Sequence, residues 1–159
     1  MLPVISLFAT AYRPQYWERL YSSIKDTSIP FEIVFVGPNK PNYELPDNFY
    51  YIKSDVKPAQ CIEIAARNTT GELIVHIADD LEFITANSLE KLYTDYHSQN
   101  IDKLMLSCKY MLMGSDISAA AHHFYYGDLN SPLMPVGMVL SRELYMELGG
   151  MDRNFIAIH

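Results

Sequence analysis

The sequence has little positive charge, few cysteines and no long apolar segment. Its 12 lysines and arginines are outnumbered by 19 aspartates and glutamates, so a broad electrostatic surface for nucleic acid is not expected. The two cysteines, Cys61 and Cys108, match no metal-ligand spacing and are expected to be reduced, buried thiols. No apolar run approaches the roughly 20 residues that cross a bilayer, and Met1–Phe8 resembles a strand rather than a basic leader. A cytoplasmic protein without a membrane segment in this chain is expected.

The overall composition is that of a folded protein. Hydrophobic residues make up 49% of the 159 residues and charged residues 19%, which predicts a single globular domain over residues 1–159. Because the net charge is −7, a phosphorylated ligand would need a bound metal ion or a few well-placed lysines and arginines.

Short apolar runs alternate with helical patterns along the chain. Strands are predicted at Val4–Ala9, Phe31–Val36, Tyr50–Ile52, Leu73–Ile77, Leu104–Cys108 and Met138–Leu140. Helices are predicted to follow Pro14, Pro58, Asn87 and Ser141, and the spacing of Asn87 and Glu90 is close to a capping box. This alternation predicts an α/β fold with a mostly parallel central sheet flanked by helices.

The segment Gly71–Glu82 is the most informative part of the sequence. Its apolar run is typical of a strand covered on both faces, and Asp79 and Asp80 follow where that strand emerges. Ligands bind at the carboxyl edge of such sheets, and carboxylates there suit a hard cation such as Mg²⁺, which commonly accompanies phosphate. A helix cap or a polar turn is the structural alternative for the two aspartates.

A resemblance to a known family rests on three separated segments, Val4–Pro14, Thr70–Asp80 and Gly137–Asp152. In order, they resemble the opening strand and loop, the strand with the Asp-x-Asp motif, and the acceptor-side Gly-Gly-Phe-Asp segment of family 2 glycosyltransferases. That family has the Rossmann-like GT-A fold. The resemblance implies a metal-dependent inverting enzyme that moves a sugar from a UDP- or GDP-sugar to a glycan or another hydroxyl acceptor.

For the metal, the resemblance implies Mg²⁺ or Mn²⁺ held mainly by Asp80. Asp79 would face the ribose or share the metal, and Ala78 stands where many members carry the motif's first aspartate. Glu82 is an alternative extra ligand, although a solvated loop acid is the simpler interpretation. The division of labour between the two aspartates stays open.

For the nucleotide, the family pattern implies that Thr10 and Tyr12 contact the base and that Arg13 approaches the diphosphate. The structural alternatives are a core position for Tyr12 and a surface ion pair for Arg13. The acidic residue that commonly reads uracil is missing after Val36, and Asn39 offers an amide there instead. The identity of the base is therefore open.

The helix before the metal strand departs from the family pattern. Ile62–Glu63 stands where an Arg-Asn pair is often found. Lys57 and Gln60, at the start of this helix, are the substitutes that we expect nearer to the donor.

No catalytic base is identified within the chain. Inverting transfer needs one, and the resemblance places it beyond His159, in a longer protein. Asp152 is expected to be a turn carboxylate. The irregular stretch 113–135, with His123, Tyr125 and Tyr126, is expected to face the acceptor.

Two other functions are consistent with the sequence. A catalytically inactive nucleotide-sugar-binding module would explain Ala78 and the missing base. A nucleotidyltransferase of related fold would need a phosphate loop rich in glycine and lysine after the first strand, which Thr10–Pro14 does not provide.

Overall fold

The chain forms an α/β structure in which strands and helices alternate as predicted. The computed structural model describes residues 2–108, 111–112, 115–116 and 137–151. The candidate acceptor residues His123, Tyr125 and Tyr126, and the turn residue Asp152, lie outside the described residues. No helix in the described part of the chain is long and apolar enough to cross a membrane.

The strands are β1 (Ile5–Thr10), β2 (Phe31–Gly37), β3 (Phe49–Lys53), β4 (Leu73–His76), β5 (Met105–Ser107), β6 (Met111–Leu112), β7 (Ser115–Asp116) and β8 (Met138–Ser141). The helices are α1 (Trp17–Ser22), which follows a 3₁₀ turn at Pro14–Tyr16, α2 (Pro58–Arg67), α3 (Ser88–Ser98) and α4 (Arg142–Glu147).

Six of these strands form one sheet in the order β3-β2-β1-β4-β8-β5. Strands β1 to β4 are mutually parallel where they pair, whereas β8 is antiparallel to both β4 and β5. The register pairs Phe8 with His76 and Gly37 with Lys53. The carboxyl ends of the four parallel strands therefore lie at one edge of the sheet, as the sequence predicted.

The core has two layers, one on each face of the sheet. On one face Trp17 of α1 packs its ring 5.1 Å from that of Phe35 and 5.5 Å from that of Phe49. On the other face α2 buries its predicted apolar stripe, Cys61, Ile62, Ala65 and Ala66. Both cysteines are free thiols, as predicted, but of the two only Cys61 is buried, while Cys108 is half-buried.

The two predicted side-chain caps, at Ser141 and at Asn87, had different outcomes. Ser141 caps α4 as predicted, because its Oγ accepts the backbone N–H of Leu144 at 3.0 Å. The capping box at α3 is wrong, since the Asn87 side chain makes no cap hydrogen bond. The Glu90 carboxylate instead accepts the backbone N–H of Ser28 at 2.6 Å, and this bond is the main reason that the pKa of Glu90 is lowered to about 2. A long-range contact thus replaces the local cap.

Candidate functional site

Asp79 is the buried centre of the loops at the carboxyl edge of the sheet. Its side chain is 1% exposed. Oδ2 accepts the backbone N–H of Tyr12 at 2.7 Å and that of Arg13 at 2.6 Å, and the indole N–H of Trp17 lies 3.4 Å away. Oδ1 lies 3.0 Å from both Nε and Nη2 of Arg13. Both oxygens are therefore engaged, and together they fix the loop that follows β1.

The Arg13 guanidinium bridges the two adjacent aspartates. While Nε and Nη2 contact Asp79, Nη1 donates to Oδ2 of Asp80. The side chains of Arg13 and Asp80 are 45% and 34% exposed. The Asp80 carboxylate is consequently accessible at this edge of the sheet, where it is paired with the Arg13 guanidinium, which is also accessible to solvent.

The loop after β1 is also held by the loop after β2. Asn39 Nδ2 donates to the Tyr12 carbonyl at 2.7 Å, and the backbone N–H of Ala11 donates to the Val36 carbonyl at 2.8 Å. A Cβ added at Gly37 would lie 2.6 Å from the Ala11 carbonyl oxygen, so glycine permits this close approach. Tyr12 stays 41% exposed at this junction.

The structure thus brings several of the predicted residues together. Tyr12, Arg13, Asn39, Asp79 and Asp80 form one connected group. Thr10 ends β1 beside them and is half-buried.

Lys57 and Gln60 are placed differently. They lie at the start of α2, where the Lys57 backbone N–H donates to Gln60 Oε1 at 3.3 Å. That contact joins them to each other rather than to the aspartates.

Glu82 lies outside this group. Its carboxylate is 3.2 Å from Nε of Arg19 and is 46% exposed, while Arg19 Nη2 lies 3.4 Å from the Asp80 carbonyl. This is the position of a solvated loop acid paired with a surface arginine.

A second buried carboxylate, Glu63, was not singled out as functional by the sequence. It accepts the Tyr145 hydroxyl at 2.7 Å and the Met151 backbone N–H at 2.9 Å, and it pairs with Arg67. Burial acts to raise the pKa of Glu63, but these hydrogen bonds outweigh it and the pKa is lowered. Burial, followed by the bond to Glu63, raises the pKa of Tyr145.

Glu63 ties α2 to the segment that ends the Gly137–Asp152 resemblance. Gly150 has a φ of +80°, and a Cβ there would lie 2.5 Å from Glu63 Oε2. The signal was present in the sequence, because Glu63 lies beside Ile62 and three residues before Ala66 on the apolar face of α2. A carboxylate on such a face requires buried partners.

The two aspartates differ in their fit to a divalent cation. Asp80 is accessible and suits Mg²⁺ or Mn²⁺, which bind through one or two carboxylates together with phosphate oxygens. Asp79 has both oxygens occupied. Within the described ranges, no group of three or more histidine, cysteine, aspartate or glutamate side chains is arranged to hold a metal by itself.

Comparison with solved structures identifies the class of fold. The chain superposes on residues 1–349 of TarS from S. aureus in complex with UDP-GlcNAc with a TM-score of 0.69 and 18% identity, covering 94% of this chain and 48% of that one. It superposes on the mannosyltransferase PcManGT from Pyrobaculum calidifontis, in complex with GDP-Man and Mn²⁺, with a TM-score of 0.67 and 16% identity, covering 97% and 49%. No family model and no curated protein matches the sequence.

These similarities confirm the predicted fold, which is that of GT-A glycosyltransferase structures. The chain spans about half the length of the structures that it matches. At this level of identity the comparison establishes architecture, and the chemistry has to be argued from the site.

Proposed function

We propose that this chain carries the donor half of a metal-dependent, inverting glycosyltransferase, which moves a sugar from a UDP- or GDP-sugar to a glycan or another hydroxyl acceptor. The observation that carries the proposal is the connected group of Tyr12, Arg13, Asp79 and Asp80 at the carboxyl edge of a GT-A sheet. In open α/β sheets ligands bind at that edge. Solved structures of the same fold hold UDP-GlcNAc or GDP-Man with Mn²⁺.

The loops after β1 and β2 are the proposed nucleoside site. The exposed Tyr12 ring offers a face against which a base packs, and Thr10 lies at the same strand end. Asn39 donates to the Tyr12 carbonyl through its nitrogen, so its amide oxygen is the atom that we propose reads a base edge. Lys57 and Gln60 are proposed as outer contacts at the start of α2.

The diphosphate is proposed to lie over Asp80 and Arg13. Asp80 is the proposed ligand of Mg²⁺ or Mn²⁺, which when bound neutralises the diphosphate and stabilises it as a leaving group. Arg13 supplies a second positive charge to the anion. Asp79 supports both functions, because it fixes the Arg13 backbone and guanidinium. For Asp79 to bind the metal or the ribose directly, one of its hydrogen bonds to Tyr12 or Arg13 would have to break.

A nucleotide-sugar-binding module without transfer activity is the second candidate. One observation favours it: of the two aspartates, only Asp80 has an accessible carboxylate. None of the described residues at the carboxyl edge is assigned as the general base that inversion requires. The two candidates share the donor site and differ in whether a bound donor transfers its sugar to an acceptor.

Calorimetry with UDP, UDP-GlcNAc and GDP-Man, with and without Mn²⁺, tests the shared donor site. We expect at least one nucleotide to bind, and we expect Mn²⁺ to increase its affinity. Asp80→Asn should reduce this Mn²⁺-dependent increase in affinity by about tenfold or more. Glu82→Gln is the matched control, because it neutralises a carboxylate two residues away that pairs with Arg19. Absence of Mn²⁺-dependent binding, or equal losses in both variants, would contradict the proposal. Transfer to acceptor hydroxyls then separates the enzyme from the module.

A further inference from the structure

Arg13 does more in this structure than approach an anion, because it neutralises the carboxylate that a metal would need. We propose that Arg13 is an exchangeable counter-ion, which pairs with Asp80 in the absence of donor and releases it when a divalent cation and a nucleoside diphosphate bind together. This inference rests on the proposed function. It adds a mechanism by which the two ligands depend on each other.

The two aspartates differ in burial and in the number of contacts that each makes with Arg13. Asp79 is buried and holds Arg13 at three nitrogens, the backbone N, Nε and Nη2. Asp80 is a third exposed and holds only the outer nitrogen, Nη1. The contact with Asp80 is therefore the one that breaks at least cost, while the contacts with Asp79 keep the guanidinium at the edge of the sheet.

Electrostatic repulsion between the metal ion and the guanidinium favours the exchange. A divalent cation on Asp80 would lie next to the guanidinium that already contacts Oδ2 of that residue, and two neighbouring cations repel each other. A metal ion alone therefore binds against this repulsion, and it offers Nη1 no other acceptor to move to. A diphosphate supplies that replacement, because its oxygens accept the same N–H groups that Asp80 gives up.

The thermodynamic consequence is positive coupling between metal and nucleotide. Either ligand, once bound, lowers the free energy that the other needs to break the contact between Arg13 and Asp80. The coupling free energy is the same whichever ligand binds first. In the wild-type chain Mn²⁺ alone should bind weakly, and UDP should increase its affinity. Without Arg13 the carboxylate is already vacant, so Mn²⁺ alone should bind more tightly and UDP should help it less.

Calorimetric titrations of the whole chain test this cycle. Mn²⁺ is titrated into protein alone and into protein saturated with UDP, for wild type, Arg13→Gln, Arg13→Lys and Arg19→Gln. We expect Arg13→Gln to tighten binding of Mn²⁺ alone by about fivefold, to weaken UDP and to reduce the metal–nucleotide coupling by a similar factor. Arg13→Lys keeps the charge but cannot bridge both aspartates, so its coupling should be intermediate.

Arg19→Gln is the matched control. It removes the same charge from a neighbouring arginine that pairs with Glu82 and the Asp80 carbonyl, so it should leave the coupling close to wild type. Unchanged or weaker binding of Mn²⁺ alone in Arg13→Gln, or equal effects in Arg19→Gln, would overturn the exchange while leaving the donor site intact. If wild type binds neither UDP nor Mn²⁺, the proposed function fails and the exchange fails with it. Thermal unfolding of each variant confirms that the folded chain was titrated.

Discussion

At the scale of single residues, Asp79 and Asp80 are neighbours with different environments. Asp79 is buried and accepts hydrogen bonds from two backbone amides and from the Arg13 side chain. Asp80 is accessible and shares only the outer guanidinium nitrogen. Removing a buried, fully paired carboxylate costs stability, whereas removing an exposed one mainly costs binding.

We therefore predict that two isosteric substitutions differ in their effect on stability. Asp79→Asn should lower the free energy of unfolding by about 2 kcal/mol, because donors from the loop after β1 lose a charged acceptor. Asp80→Asn should change it by less than about 1 kcal/mol. Urea denaturation of both variants measures this difference. Equal destabilisation would mean that Asp79 is not the anchor of the loop.

His76 leads to a prediction about pH. It ends β4 with its ring 5.3 Å from that of Phe8, and burial lowers its pKa from 6.5 to about 4. Below pH 6.5 the unfolded chain takes up a proton that the folded chain does not, so stability falls as the pH is lowered. The loss should develop between about pH 6.5 and pH 4 and reach about 3 kcal/mol at most.

Denaturation series across this pH range, for wild type and His76→Phe, check that prediction. Phenylalanine keeps an aromatic ring beside Phe8 and removes the titrating group. Its stability should stay nearly level until the carboxylates begin to titrate at lower pH. A slope in His76→Phe as steep as that of wild type would assign the pH dependence to other groups.

At the scale of elements, the Glu63 clamp joins α2 to the turn after α4. Glu63 is buried in α2 and accepts bonds from Tyr145 of α4 and from the Met151 amide. Two glycines form the turn between these partners, both with positive φ: Gly149 at +88° and Gly150 at +80°. They differ in surroundings, because a Cβ at Gly149 meets open space and one at Gly150 meets the Glu63 carboxylate.

This difference provides a matched pair of substitutions. Gly149→Ala should cost about 1 kcal/mol, the penalty of a left-handed conformation for an L-residue. Gly150→Ala should cost about 2 kcal/mol more, because its Cβ also collides with a buried carboxylate. Equilibrium unfolding of the two variants measures the gap. If they are equally stable, the turn does not depend on Glu63.

At the scale of the whole molecule, most of the fold was predictable from local patterns. The apolar runs that became β1, β2 and β4, and the stripe on α2, are short-range signals. The mostly parallel sheet followed from the alternation of strands with helices, whereas the order of its strands was not predicted. The predicted capping box at Asn87 was wrong because Glu90 binds the backbone N–H of Ser28, 62 residues away. No local sequence pattern contains such a contact.

The candidate site was predictable in position rather than in detail. A strand ending on Asp79 and Asp80 indicates the edge of the sheet at which these carboxylates lie. The sequence does not show that Asp79 turns inward to bind two amides, or that Arg13 spans both carboxylates. Those roles depend on how the loop after β1 folds over β4. Glu63 was likewise visible only as a carboxylate on an apolar face.

The central claim for the molecule is a donor site at the carboxyl edge in which Asp80 is the metal-binding carboxylate and Arg13 its exchangeable partner. A crystal structure of the chain with UDP and Mn²⁺ tests it most directly, since the anomalous signal of manganese locates the ion. We predict a peak within bonding distance of Asp80, with Asp79 still accepting the Tyr12 and Arg13 amides and the Arg13 guanidinium turned to the diphosphate. A manganese peak away from Asp80, or a nucleotide bound with the Arg13 bridge intact, would contradict the claim.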